Sequence, residues 1–184
     1  GAGINVIAAF YIGSKNSKSL SDTIHTAAFI CLAAGIILLA AGTILARPIL
    51  AAMNTKSELM EGAVVYLRIY MLGMPALAIY NFGNGVLSAT GDTKRPLIFL
   101  TVAGIINILL NLFFVIVCNL GTAGVALASI ISQYISAALI LLTMTREKGA
   151  ANLVIFKIRP NSHMSLKILK IGLPSGLQNA VFAF

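Results

Sequence analysis

The chain has 184 residues, with 13 Lys and Arg against 5 Asp and Glu, a hydrophobic share of 59% and a charged share of only 10%; its mean hydropathy is +0.96. Soluble domains are about 45–50% apolar and about 25% charged, so this chain has too little polar residue to coat a water-facing surface. A disordered chain, a disulfide scaffold and a cytosolic enzyme are excluded on that ground. What remains is a polytopic membrane protein built from helices of about 20 apolar residues each.

In chain order, an uncharged run reaches from Gly1 to Ser14. It is short for a span and has no basic region before it, so it reads as part of a helix (about residues 1–13) and not as a signal peptide. Residues 23–46 form the first full span, closed by Arg47-Pro48. The next helix, 62–90, carries Arg68 in its first turns and is uncharged from Ile69 onward. Pro96–Thr145 holds no charge but is too long for one span. Asn119, Gly121 and Gly124 supply turn chemistry and divide it into helices 97–117 and 124–144. Continuous apolar runs predict helices, where a barrel would show short alternating strands. Residues 146–165 are the longest polar stretch and contain the turn signal Arg159-Pro160-Asn161-Ser162. Met164–Ile171 mixes Leu166, Ile168, Leu169 and Ile171 with Lys167 and Lys170, which predicts a short helix along the membrane interface. The organisation read is one transmembrane bundle over 1–145, a linker over 146–165 and the start of a second bundle over 166–184, in a piece of a longer chain.

The loops orient the spans. Segments 14–21, 91–96 and 146–170 are basic, and they alternate with a mixed loop at 47–61 and an uncharged one at 119–122. The positive-inside rule places the three basic segments in the cytoplasm of a cell (plasma or inner) membrane. A basic cytoplasmic rim facing the bilayer accounts for the net charge of +8, so no nucleic-acid partner is implied. Cys31 and Cys118 lie in apolar stretches without metal or redox spacing, and read as small lipid- or helix-facing residues.

Polar residues inside spans are costly in lipid, so they mark function or helix contacts. Three stripes occur. Tyr70, Asn81, Asn84 and Ser88 share one face of the second full span, with Tyr80 at its border and Pro75 interrupting the hydrogen-bond ladder before it. Asn107 and Asn111 lie at i,i+4, with Gly104 on the same face. Ser129, Ser132, Gln133 and Ser136 form the third. Each stripe alone fits interhelical hydrogen bonding; together they predict a polar interior reached by water. No Asp, Glu or Lys lies deep in a full span, so no titratable relay is visible. Arg68 reads as an outer-interface residue held by Glu61 two turns before it, His25 as an interface histidine, and His163 as a linker residue. No catalytic motif appears, and the reading is of a non-enzyme without cofactor.

These residues bear a resemblance to the multidrug and toxic compound extrusion (MATE) transporters. Gly1–Asn16 is similar to their second helix and following loop. Ser88-Ala89-Thr90-Gly91-Asp92-Thr93-Lys94-Arg95-Pro96 resembles the loop between helices four and five. Asn107-Ile108-Leu109-Leu110-Asn111 with Gly121–Ser129 resembles helices five and six, and Lys170–Gln178 the opening of helix seven. The resemblance implies an all-α first lobe of a two-lobe, twelve-helix transporter that acts as a monomer. It implies antiport of organic cations or amphipathic drugs against H⁺ or Na⁺, by alternating access. It makes Asn84, Asn107 and Ser129 members of one polar cluster, with Asn81 and Asn111 lining or supporting the same cavity. The second helix-five position is often Asp in the proton-coupled branch and is Asn111 here, which leaves that helix without an acid. Two alternatives stay open: a lipid-linked saccharide flippase of the same superfamily, which should have a strongly cationic cavity, and a structural membrane protein whose stripes only join helices.

Overall fold

The computed structural model describes residues 2–15, 17–146, 152–153 and 162–183. Regular structure among them is helical: α1 (Ala2–Gly13), α2 (Ser17–Ile44), α3 (Ala46–Ala52), α4 (Ser57–Met71), α5 (Met74–Ala89), α6 (Lys94–Leu112), α7 (Thr122–Arg146) and α8 (Ser162–Ala183). A π-helical turn, Phe113–Val117, extends α6. It ends where Asn119 and Gly121 take positive φ (55° and 60°) and reverse the chain into α7. Three helices, α2, α6 with its π turn, and α7, are long and apolar enough to cross a membrane, and α4 with α5 makes a fourth span bent by 41°.

That bend divides the helix expected over 62–90 close to Pro75, where the sequence predicts a break in its hydrogen-bond ladder. Pro75 has no N–H to offer the carbonyl one turn back, so the ladder fails there. The N–H groups of Leu72 and Gly73 close tight turns onto Ile69 (3.1 Å) and Tyr70 (3.0 Å) instead. The carbonyl of Leu72, freed by the break, accepts the hydroxyl of Tyr134 on α7 at 2.6 Å. α2 also presses close: a Cβ on Gly35 would lie 2.6 Å from Cα of Pro75. Contacts from α2 and α7 therefore hold the bend, which is a built feature of the span.

A correction concerns the C-terminal segment. The short interfacial helix expected over Met164–Ile171 is the first part of α8, which runs on through Pro174. Met164 and Ile168 are buried, and Ile171 packs beside them. That i, i+4, i+7 stripe is a helix face that docks on the bundle. The expected turn at 159–161 and most of the linker lie outside the described residues.

The core sits at one end of the bundle. Ala8, Tyr11, Ile24, Phe82, Val86, Leu87, Ile140, Met144 and Met164, from α1, α2, α5, α7 and α8, form a single buried cluster. Lys167 donates to the Tyr11 hydroxyl at 2.6 Å and sits 5.0 Å from its ring centroid, tying the start of α8 to the end of α1. Among the described residues, the start of α8 thus lies beside the end of α1.

In loop 91–96, Asp92 pairs with Arg95 and also accepts the Arg95 backbone N–H at 3.1 Å. Partial burial raises the Asp92 carboxyl, but the Arg95 hydrogen bonds and charge, with the Lys94 N–H, outweigh it and hold the carboxyl below its usual range. At the opposite end, Glu61 pairs with Arg47 at 2.5 Å and not with Arg68, as the sequence led one to expect. Two helical turns separate Glu61 from Arg68 by about 10 Å along α4, whereas α3 carries Arg47 directly to Glu61. Arg68 donates instead to the Thr43 carbonyl of α2 at 3.2 Å. His25 is buried, and its Nδ1 lies 2.7 Å from the Ser21 carbonyl one turn earlier.

Candidate functional site

Between α4–α5, α6 and α7 lies a cavity of about 350 Å³, whose lining includes Tyr70, Tyr80, Asn107, Ser129, Ser132, Gln133 and Ser136. Helical spacing builds its polar wall. Ser129, Ser132, Gln133 and Ser136 stand at i, i+3, i+4 and i+7, on one face of α7. Opposite them, Ala103 and Gly104 on α6 add almost no side-chain bulk, so space remains in front of Asn107.

The hydrogen bonds give this wall a definite polarity. Each serine donates its proton to a carbonyl of its own helix: Ser129 to Val125 at 3.1 Å, Ser132 to Ser129 at 2.8 Å and Ser136 to Gln133 at 2.8 Å. Such back-bonding is the usual fate of a helical serine, and it leaves only oxygen lone pairs to face the cavity. Asn107 donates to the Ser132 hydroxyl at 3.2 Å and accepts from Asn111 at 2.7 Å. The Tyr80 hydroxyl is taken by the Pro96 carbonyl at 2.9 Å. The Oε1 of Gln133 is buried with no hydrogen-bond partner among the described residues. The spare capacity of the serines and of Gln133 Oε1 is therefore for accepting hydrogen bonds, and among the described residues neither a carboxylate nor a basic side chain lines the space.

The residues expected at the site divide. Asn107 and Ser129 are on the wall. Asn111 is one turn further along α6, bonded to Asn107 but off the lining; its Oδ1 is buried without a partner. Asn84 is not in the cavity; its Oδ1 accepts the Ser88 hydroxyl at 3.1 Å along α5. Asn81 is exposed. The expected meeting of Asn84 with Asn107 and Ser129 is not made, because α5 and α6 run in opposite directions from the Tyr80–Pro96 contact. At 1.5 Å per residue, Asn84 lies about 6 Å toward one end and Asn107 about 16 Å toward the other. Ser132 and Gln133 were visible in the third stripe but not singled out. The available signal was their i, i+1 position within a serine repeat, which puts an amide on the same face as three hydroxyls.

A family model described as MatE matches residues 1–113. The chain is 35% identical, over 92% of its length, to the probable multidrug resistance protein YpnP of Bacillus subtilis, covering 38% of it. It is 24% identical, over 98% of its length, to the probable multidrug resistance protein NorM of Thermotoga maritima, covering 40% of it. Among solved structures, a multidrug resistance MATE family transporter of the MOP superfamily matches in its outward-facing conformation with a TM-score of 0.88 at 23% identity, over 96% of this chain and 40% of that one. The inward-facing conformation matches with a TM-score of 0.86 and the same coverage. The chain spans about two-fifths of the length of these relatives.

Proposed function

The chain belongs to the MatE family, and from that premise we propose that it is the first lobe of a secondary antiporter. It exports organic cations or other amphipathic compounds in exchange for H⁺ or Na⁺, by alternating access of two lobes about a central cavity. The observation that carries the cationic preference is the wall of Ser129, Ser132, Gln133 and Ser136. Its serine protons are committed to backbone carbonyls, so the serine oxygens, with Gln133 Oε1, suit a ligand that donates hydrogen bonds or carries positive charge. An anionic saccharide headgroup would need basic side chains, and none among the described residues lines the cavity, which disfavours the flippase reading. The basic segments 14–21, 91–96 and 146–170 face the cytoplasm of the cell membrane, the working unit is a monomer, and residues 146–165 join the two lobes. Asn107 and Ser129 contact the ligand; Asn111 supports Asn107; Asn81 and Asn84 serve the pathway outside this cavity. Because Asn111 is neutral at every working pH, protonation in this lobe rests on an acid elsewhere in the protein.

The test is export of ethidium from proteoliposomes holding the full-length protein, with a pH or a Na⁺ gradient imposed separately. Gradient-driven movement that is lowered several-fold by Asn107→Ala supports the reading. No movement under either gradient, with folded protein in the membrane, refutes it.

A further inference from the structure

The bend of the fourth span and the cavity meet at one side chain. Gly73 lies in the break between α4 and α5, and a Cβ there would collide with Oε1 of Gln133 and lie 3.0 Å from Cγ2 of Ile130. The neighbouring residue, Tyr134, holds the Leu72 carbonyl at 2.6 Å. Two successive residues of α7 thus touch two successive residues of the break. Tyr134 acts from the exposed side and satisfies the Leu72 carbonyl at the break. Gln133 acts from the cavity side, and its oxygen is satisfied by nothing among the described residues. A buried acceptor left unpaired costs free energy that an incoming donor recovers. A donor that draws Oε1 toward the cavity draws it off Gly73, where the absence of a side chain leaves room for the backbone to follow.

We propose that Gln133 is the positioning residue through which a hydrogen-bond-donating occupant of the cavity sets the bend of the α4–α5 span. The proposal rests on the cationic reading above and deepens it: the favoured ligands carry an N–H, as protonated amines do, and such ligands move the span while equally charged ligands without an N–H do not. The remaining contacts at the bend fix where motion is allowed. Gly35 of α2 meets Pro75 backbone to backbone, and Gly42 meets the side chain of Met71, so α2 is a firm stop. The α7 side offers the movable amide of Gln133 and a methyl of Ile130, with the amide nearest.

The experiment uses the full-length protein with Cys31 and Cys118 replaced by serine. Spin labels are placed at Val65→Cys and Thr90→Cys, positions that are exposed and flank the break. The probes are 4-phenylbutylammonium and its N-trimethyl analogue, which has the same charge and body but no N–H. A hydrogen bond to a charged donor supports a preference for the ammonium of roughly tenfold. The expected result is that the ammonium binds roughly tenfold tighter and shifts the label-to-label distance, while the trimethyl analogue binds without shifting it. Gln133→Met brings the affinity ratio to about one and abolishes the shift; Gln133→Glu, which keeps an accepting oxygen, retains both. Gly73→Ala, which pushes the amide aside, moves the resting distance in the absence of any probe, and Gly73→Ala with Gln133→Ala restores it. A ratio or shift that survives Gln133→Met overturns the proposal while leaving cation binding intact. If neither probe binds the folded protein, both the proposal and the cationic reading fall.

Discussion

Asn107→Leu should cost far more than Asn111→Leu, although the two amides are hydrogen-bonded to each other. Removing the Asn107 amide loses its bond to Ser132 across the helix interface (3.2 Å), worth about 0.6 kcal/mol in a bilayer. It also strips Asn111 of its side-chain partner (2.7 Å). Asn111 lies off the cavity, and its Oδ1 is already buried without a partner. Leaving the rest of that amide unsatisfied adds about 1–3 kcal/mol, for a total of roughly 1.5–3.5 kcal/mol. Asn111→Leu loses one hydrogen bond but removes the unpaired oxygen with it, and Asn107 can turn its freed oxygen to cavity water; the net cost is about 0.5–1 kcal/mol. In Asn107→Leu with Asn111→Leu no stranded amide remains, so the double variant should be more stable than Asn107→Leu alone. Unfolding midpoints of the purified full-length protein and its three variants measure this order. Costs that simply add in the double variant, or an Asn111→Leu midpoint at or below that of Asn107→Leu, would refute the assigned network.

Gly83→Ala should destabilise by about 1–3 kcal/mol through overpacking, because the new Cβ would fall 2.8–2.9 Å from three side-chain atoms of buried Ile140; Ile140→Val in the same chain should return part of the loss, and an unchanged midpoint in Gly83→Ala would deny the close α5–α7 packing. Asp92 is held below its ordinary carboxylate range, so its pairing with Arg95 stabilises the fold above the unfolded pKa of about 3.9 and is lost as pH falls through the lower folded value. Asp92→Asn should therefore lower the unfolding midpoint at pH 7, and the difference should shrink below about pH 4; a difference constant in pH would contradict that origin. In a background lacking Cys31 and Cys118, cysteines at Ser14 and Thr93 should resist an impermeant thiol reagent added to intact cells, and one at Asn54 should react; the opposite pattern would invert the orientation.

The all-helical membrane fold was legible in the sequence, because a continuous apolar run long enough to cross a bilayer has few other meanings. The sequence located Pro75 and the broken ladder but not the size of the bend, since how far a proline kinks a span depends on what packs there, here Gly35 of α2 and the Tyr134 hydroxyl of α7. Stripe faces were legible, and Asn107 and Ser129 do line one cavity. Depth was not: a stripe reports angle around a helix, and Asn84 shares the angle but stands at the wrong height. The ion pairs were the least legible, because Glu61 meets Arg47 only once the short α3 has carried it there.

The most direct measurement compares gradient-driven export, from proteoliposomes of the full-length protein, of ethidium and of an aminonaphthalene sulfonate of similar size. A wall whose serines and Gln133 offer accepting oxygens predicts that the cation is exported, that the anion is not, and that Ser129→Ala together with Gln133→Met lowers cation export several-fold while the folded protein remains. Equal export of both dyes, or cation export untouched by the double substitution, would contradict a cation-selecting cavity in this lobe.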